Sequence, residues 1–185
     1  MTAANKVTII RIFLVPIFLC LMYMTFPYAN WVALFVFVVA AATDFLDGYL
    51  ARSRNEVTTF GKFMDPIADK LLVIPAFIVL VGQGRLHALF AVVFVAREFI
   101  ISGFRLVAAS QSNVIAAGWL GKVKTVLQIV AVCLLVVDNM PFALVGLPLD
   151  QIVLWASLLF TVWSAADYLW KNRKVLSFKV GERKA

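Results

Sequence analysis

The chain has 185 residues, is 63% hydrophobic and carries a formal net charge of +7. Soluble domains are about 45–50% apolar, so a mean hydropathy of +0.96 excludes a water-soluble fold and points to a polytopic membrane protein. The apolar runs are continuous rather than alternating, which selects helices over a barrel. The basic residues flank those runs, so the positive charge reads as membrane topology and not as nucleic-acid binding.

Six spans are expected, at 8–27, 31–52, 61–82, 86–109, 119–140 and 150–170, each near the ~20 residues that cross the hydrocarbon. The first follows Lys6 and Arg11 and superficially resembles a signal peptide. It has no small-residue cleavage site near Tyr28–Asn30 and is kept as a span. Short connections such as "PYAN", "GQGR", "SQSNVIAAG" and "PFALVGLPL" join the spans, with no linker and no internal repeat. Residues 1–185 therefore read as a single all-α membrane domain, with residues 171–185 as a basic tail against anionic headgroups. Cys20 and Cys133 lie inside apolar runs and read as small hydrophobes. With both termini inside, all Lys and Arg of the 17 except Arg85 fall at or towards inside ends. The positive-inside rule thus places the termini and the loops after spans two and four in the cytoplasm.

Between spans two and three stands "DFLDGYLARSRNEVTTFGKFMDPIADK", with four aspartates where carboxylates are expensive. Helical geometry puts Asp44 and Asp47 about 60° apart, with Gly48 and Ala51 on the same side. That face is acidic and otherwise nearly bare, open to close approach by a ligand or helix. Asp65 and Asp69 share a second face at i, i+4. A carboxylate at the centre of a span costs ~2.5–3.5 kcal/mol, and four close anions repel. Two divalent cations would balance them, and hard oxygen ligands suit Mg²⁺ or Mn²⁺. Such a pair can clamp and polarise a phosphoryl group. The competing reading is a plain ion-pair network with Arg52, Arg54, Lys62 and Lys70. Spacing alone does not single out a general base among the four acids.

Written as D-x2-D-G-x2-A-R-x8-G-x3-D-x3-D, from Asp44 through Asp47, Gly48, Ala51, Arg52, Gly61 and Asp65 to Asp69, the stretch resembles the CDP-alcohol phosphotransferase signature at all eight fixed positions. The resemblance extends to the six-span layout. It implies a transferase that displaces CMP from a CDP-linked donor using an alcohol. It further implies that Asp44, Asp47, Asp65 and Asp69 bind two divalent cations, and that Asp69 also takes the proton of the attacking hydroxyl. Gly48 and Arg52 would hold the CDP portion, with Thr58 a polar contact, and a homodimer is typical.

The fourth span carries "AREFIISGFRL", with Arg97, Glu98 and Arg105, and the fifth opens on "GWLGKVKT", with Lys122 and Lys124. Charges inside spans are functional candidates. Arg97, Arg105 and Lys122 would line a basic cavity fit for a phosphorylated acceptor. The structural alternative is that Arg97 and Glu98 neutralise each other while the two lysines anchor the fifth span. The segments "AREF", "FRL", "GKVKT" and "NKVTIIR" are similar to bacterial phosphatidylglycerophosphate synthases. That similarity implies CDP-diacylglycerol as donor and sn-glycerol 3-phosphate as acceptor, in the bacterial cytoplasmic membrane. It assigns Arg97, Arg105 and Lys122 to the acceptor phosphate, and Asn5 and Thr8 to the nucleotide. Two alternatives stand beside this reading: a sister enzyme with another acceptor such as inositol phosphate, and a divalent-cation transporter, against which the absence of internal repeats counts. His87 is expected to be an ordinary interfacial residue, Asp138 and Asp150 to be solvated, and Asp167 to pair with Lys171 at i, i+4.

Overall fold

In the computed structural model, residues 3–54, 59–110 and 118–173 are described, with side chains for 9–43, 70–109 and 118–173. These residues form six long helices and no strand: α1 (Ala3–Met22), α2 (Ala29–Arg54), α3 (Thr59–Gly82), α4 (Ala88–Ser110), α5 (Trp119–Val136) and α6 (Leu149–Lys171), with a short 3-10 helix, Phe142–Val145, before α6. The expected spans and the observed helices correspond one to one, although several ends differ. α1 starts at Ala3 and stops at Met22, earlier than the hydropathy suggests at both ends. Backbone hydrogen bonding takes in the polar first turns, and the chain then bends into the turn before Tyr28, whose φ is 69°. α5 stops at Val136 because Asp138 and Asn139 both turn to positive φ, which Asn and Asp tolerate better than most side chains.

Hydrogen bonds between helix ends show the up–down order. The Gln83 amide donates to the carbonyl of Met22, and Arg85 donates to that of Val136 at 2.8 Å. Arg85 also pairs with Asp138 at 3.1 Å, while the Asn30 amide reaches the same carboxylate at 3.5 Å. Buried Asn139 donates to Leu147 at 2.7 Å and accepts from the Asp150 N–H at 3.2 Å. One end of the bundle thus gathers the C-termini of α1, α3 and α5 and the N-termini of α2, α4 and α6. The opposite end gathers the C-termini of α2, α4 and α6 with the N-termini of α3 and α5. Asp138, expected to be solvated, is half-exposed and serves as the counter-ion of Arg85. His87 is exposed, and its Nδ1 accepts the Leu89 N–H at 3.2 Å.

The main core joins α1, α2, α3, α4, α5 and α6 through Phe18, Phe37, Phe77, Leu80, Phe94, Val132 and Leu154, all essentially inaccessible. Phe77 and Phe94 rings lie 4.8 Å apart and Phe18 and Phe37 5.3 Å apart. A second, smaller cluster joins Ile101, Phe104 and Ala108 of α4 to Tyr168 of α6. The outward faces carry Phe13, Phe35, Leu106, Trp119, Trp155 and Trp170, each at least 60% exposed. Lys124, Gln128, Ser157, Thr161 and Ser164, by contrast, are buried. So large an exposed apolar surface around a partly polar interior fits a protein whose lateral solvent is lipid. α5 and α6, with mean hydropathies of 1.8 and 1.5, are long and apolar enough to cross a membrane among the described residues.

α3 ends in a Schellman motif: Gly84 has φ 71°, its N–H bonds Val81 at 3.0 Å, and Arg85 N–H bonds Leu80 at 2.9 Å. This turn aims Arg85 at Asp138. Nothing lies within 4 Å of a Cβ placed on Gly84 or on Gly103 in α4, so the two glycines differ in backbone and not in space. Gly84→Ala is expected to cost ~1 kcal/mol or more of stability. Gly103→Ala, at an exposed helical position, is expected to be neutral or to gain up to ~1 kcal/mol. Thermal unfolding of the detergent-solubilised variants checks the contrast.

Candidate functional site

The end opposite the Arg85–Asp138 pair carries the charged residues that sequence reasoning selected. α2 bears Asp44, Asp47, Gly48 and Arg52 in its last three turns, and α3 bears Asp65 and Asp69 in its first three. Only residues 55–58 separate the two helices, so Arg54 and Thr59 lie at most about 18 Å apart. The backbone therefore brings both acidic pairs to the same end of the bundle, on helices that touch. Their side chains, those of Asn5 and Thr8 in α1, and Thr58 altogether lie outside the described residues. So does the basic tail beyond Arg173. The described residues themselves hold no group of three or more His, Cys, Asp or Glu.

Beside the acidic helices, described side chains of α4, α5 and α6 build a partly buried ionic cluster, with Lys124 buried and Arg97 and Glu98 half-buried. Arg97 Nη1 bonds Glu98 Oε1 at 3.1 Å, and Lys124 Nζ contacts that same oxygen from α5. The other arm of the guanidinium, Nη2, donates to Ser164 Oγ of α6 at 3.1 Å. Arg97 Nε is buried without a hydrogen-bond partner. One helical stretch on, Arg105 Nε donates to Tyr168 OH at 3.3 Å, and its guanidinium lies 5.4 Å from the centroid of that ring. Two arginines about 80° apart round α4 are thus both turned towards α6, where Ser164 and Tyr168 share a face at i, i+4.

The cluster continues inward as a polar seam between α5 and α6. Ser164 Oγ donates to the Thr161 carbonyl at 3.1 Å, Gln128 Nε2 reaches Thr161 Oγ1 at 3.4 Å, and Thr161 in turn donates to the Ser157 carbonyl at 2.6 Å. Back-bonding to the i−3 or i−4 carbonyl lets hydroxyls sit inside an apolar helix without orphaned donors. Their small size also lets α5 approach closely.

Of the basic residues expected at the site, Arg97 joins the ionic group, while Arg105 is exposed further along α4 and bonds Tyr168. Lys122 is exposed on α5, about 200° round the helix from Lys124. The pairing of Arg97 with Glu98 that the structural alternative called for is present, but Lys124 does more than anchor α5: it closes the same ionic group. Sequence reasoning missed the parts played by Lys124, Ser164 and Tyr168. The available signal was the run of polar positions 157, 161, 164 and 168 in an otherwise apolar span, which repeats at helical spacing. Asp167 pairs with Lys171 at 2.9 Å as expected. A cavity of about 650 Å³ with Trp31, Gln83, Arg85 and Asp138 in its lining lies at the other end of the bundle.

The profile described as CDP-alcohol phosphatidyltransferase matches residues 1–163. The chain belongs to that family. It is 44% identical to a Bacillus subtilis protein named CDP-diacylglycerol–glycerol-3-phosphate 3-phosphatidyltransferase, over 93% of this chain and 95% of that one. A protein of the same name from Rickettsia bellii is 37% identical, over 89% and 91% of the two chains. Another from Salmonella typhimurium is 36% identical, over 88% and 90%. The chain is therefore a phosphatidyltransferase of phospholipid synthesis, and a membrane protein.

Removing one partner of a buried ion pair leaves the other charge uncompensated, at a cost of ~3–5 kcal/mol. Lys124→Met is expected to destabilise the folded protein on that scale, whereas Lys122→Met, at an exposed site, is expected to stay within about 0.5 kcal/mol. Thermal unfolding in detergent, read side by side, measures both.

Proposed function

We propose that this chain transfers the phosphatidyl group of CDP-diacylglycerol to sn-glycerol 3-phosphate, giving phosphatidylglycerol phosphate and CMP. The observation that carries the proposal is the ionic group of Arg97 and Lys124 on Glu98, with Arg105 further along α4, a concentration of cations on α4 and α5 at the acidic end of the bundle. An acceptor that brings its own phosphate needs such a cluster; serine or choline does not. The names of the relatives support the same substrates.

The donor set on α2 and α3 suits divalent cations: four carboxylates, hard oxygen ligands, carried by two touching helices joined by four residues. Asp44, Asp47, Asp65 and Asp69 would hold two Mg²⁺ or Mn²⁺ ions, which supply positive charge against the phosphates when bound. Gly48 leaves the α2 backbone bare for the CDP portion, and Arg52 stabilises charge growing on the departing phosphate. Asn5, Thr8 and Thr58 complete the nucleotide contacts. Asp69 accepts the proton of the primary hydroxyl of glycerol 3-phosphate as that oxygen attacks the diacylglycerol-bearing phosphorus. The bond from that phosphorus to the CMP oxygen breaks, and CMP leaves as an anion. Arg97 and Arg105 hold the acceptor's phosphate, with Lys122 at the rim. No covalent enzyme intermediate is required.

Six membrane spans with both termini in the cytoplasm place this end of the bundle at the inner face of the bacterial cytoplasmic membrane, where glycerol 3-phosphate is dissolved. The charge bias supports this: Arg85 is the one basic residue assigned to the other side. A second copy of the chain completes a homodimer, as is typical of the family.

Purified protein given CDP-diacylglycerol is expected to release CMP only when glycerol 3-phosphate is present, and EDTA is expected to stop it. Inositol phosphate serving as well as glycerol 3-phosphate would move the assignment to a sister activity. Metal uptake into proteoliposomes without CMP release would favour transport. Asp69→Asn should abolish turnover while the protein remains monodisperse, and full activity in that variant removes its role as base.

A further inference from the structure

The proposed mechanism gives no part to Glu98, yet the ionic cluster is built round it. Its Oε1 takes both the Arg97 guanidinium from its own helix and the Lys124 ammonium from α5. An ion pair buried in a bundle is poor evidence of a stabilising role, because well-packed apolar residues usually serve stability as well or better. The bonding pattern points elsewhere. A guanidinium presents five N–H donors in a planar fork. Here the Glu98 oxygen holds one arm, Ser164 holds the other, and buried Nε has no hydrogen-bond partner. Two anchors on two different helices thus fix the plane of Arg97 while leaving donor capacity unspent.

We infer that Glu98 is a positioning residue of the acceptor site: one carboxylate oxygen holds Arg97 and Lys124 together, so that both serve a single phosphate. This rests on the reading of the cluster as the acceptor's phosphate site. Charge supports it. Arg97, Arg105 and Lys124 with Glu98 leave a net double positive charge, and a phosphomonoester carries about −1.5 to −2 at neutral pH. Without the carboxylate, two cations from different helices would repel each other and separate, and their convergence on one ligand would be lost. The second anchor, Ser164, acts in the same way on the far arm and is the milder of the two, being neutral.

The test is steady-state kinetics of the full chain in detergent micelles, with sn-glycerol 3-phosphate and CDP-diacylglycerol varied separately. Glu98→Gln is expected to raise KM for glycerol 3-phosphate about tenfold or more, with KM for CDP-diacylglycerol within about twofold of the parent. Glu98→Asp should recover part of the loss, and Ser164→Ala should raise the acceptor KM about threefold. A fall in kcat alone, with both KM values unchanged, overturns the inference, because that is what a merely structural ion pair would give. Should Glu98→Gln not yield monodisperse protein, the decision passes to Glu98→Asp and Ser164→Ala: an unchanged acceptor KM in both overturns it. Arg97→Ala separates the two levels of argument. If it raises the acceptor KM and Glu98→Gln does not, Glu98 has no positioning role and the acceptor site stands. If neither variant changes that KM, the phosphate site itself lies elsewhere.

Discussion

A single carboxylate oxygen shared by two cations constrains the whole inner half of the bundle. Glu98 Oε1 ties Arg97 on α4 to Lys124 on α5, and Arg97 ties both to Ser164 on α6. In a chain this apolar, each of those charges is tolerable only with the others in place. The rotation of three helices about their axes is therefore coupled. Turn α5 by half a circle and Lys122 would face the carboxylate while Lys124 met the outside. The small hydroxyls of α6 make the coupling possible: they let α5 come close and satisfy themselves on their own backbone.

The two ends of the bundle are built for different work. At one end, the Schellman turn after α3, the Arg85–Asp138 pair and the Asn139 bridge fasten the connections to one another. At the other, α2 and α3, which carry the four aspartates, pack beside α4 and α5, which carry Arg97, Glu98 and Lys124. The aromatic core through Phe77 and Phe94 separates them.

The helices were legible in the sequence because a continuous apolar run of span length has few alternatives in lipid. Their ends were less so. The stop of α5 at Val136 depends on two consecutive left-handed residues, Asp138 and Asn139, and hydropathy does not register backbone handedness. In the site, Arg97 and Arg105 stood out as charges within a span, and the aspartates as a spaced motif. The partners did not. Ser164 and Tyr168 meet arginines more than sixty residues away, and no local spacing records that meeting. Spacing did not separate Lys122 from Lys124 and the resemblance favoured Lys122, whereas the one that turns inward is Lys124, which is set by how α5 rolls against α6.

The helices also differ in length, and this affects how deeply each end sits. At 1.5 Å per residue, the 26 residues of α2 extend about 39 Å, whereas the 18 residues of α5 extend about 27 Å, against a hydrocarbon layer of about 30 Å. Were both helices to cross one bilayer, α2 would exceed the hydrocarbon by about 9 Å and α5 would fall about 3 Å short of it. A short helix beside a long one asks the surrounding lipid to thin on one flank of the bundle and not on the other.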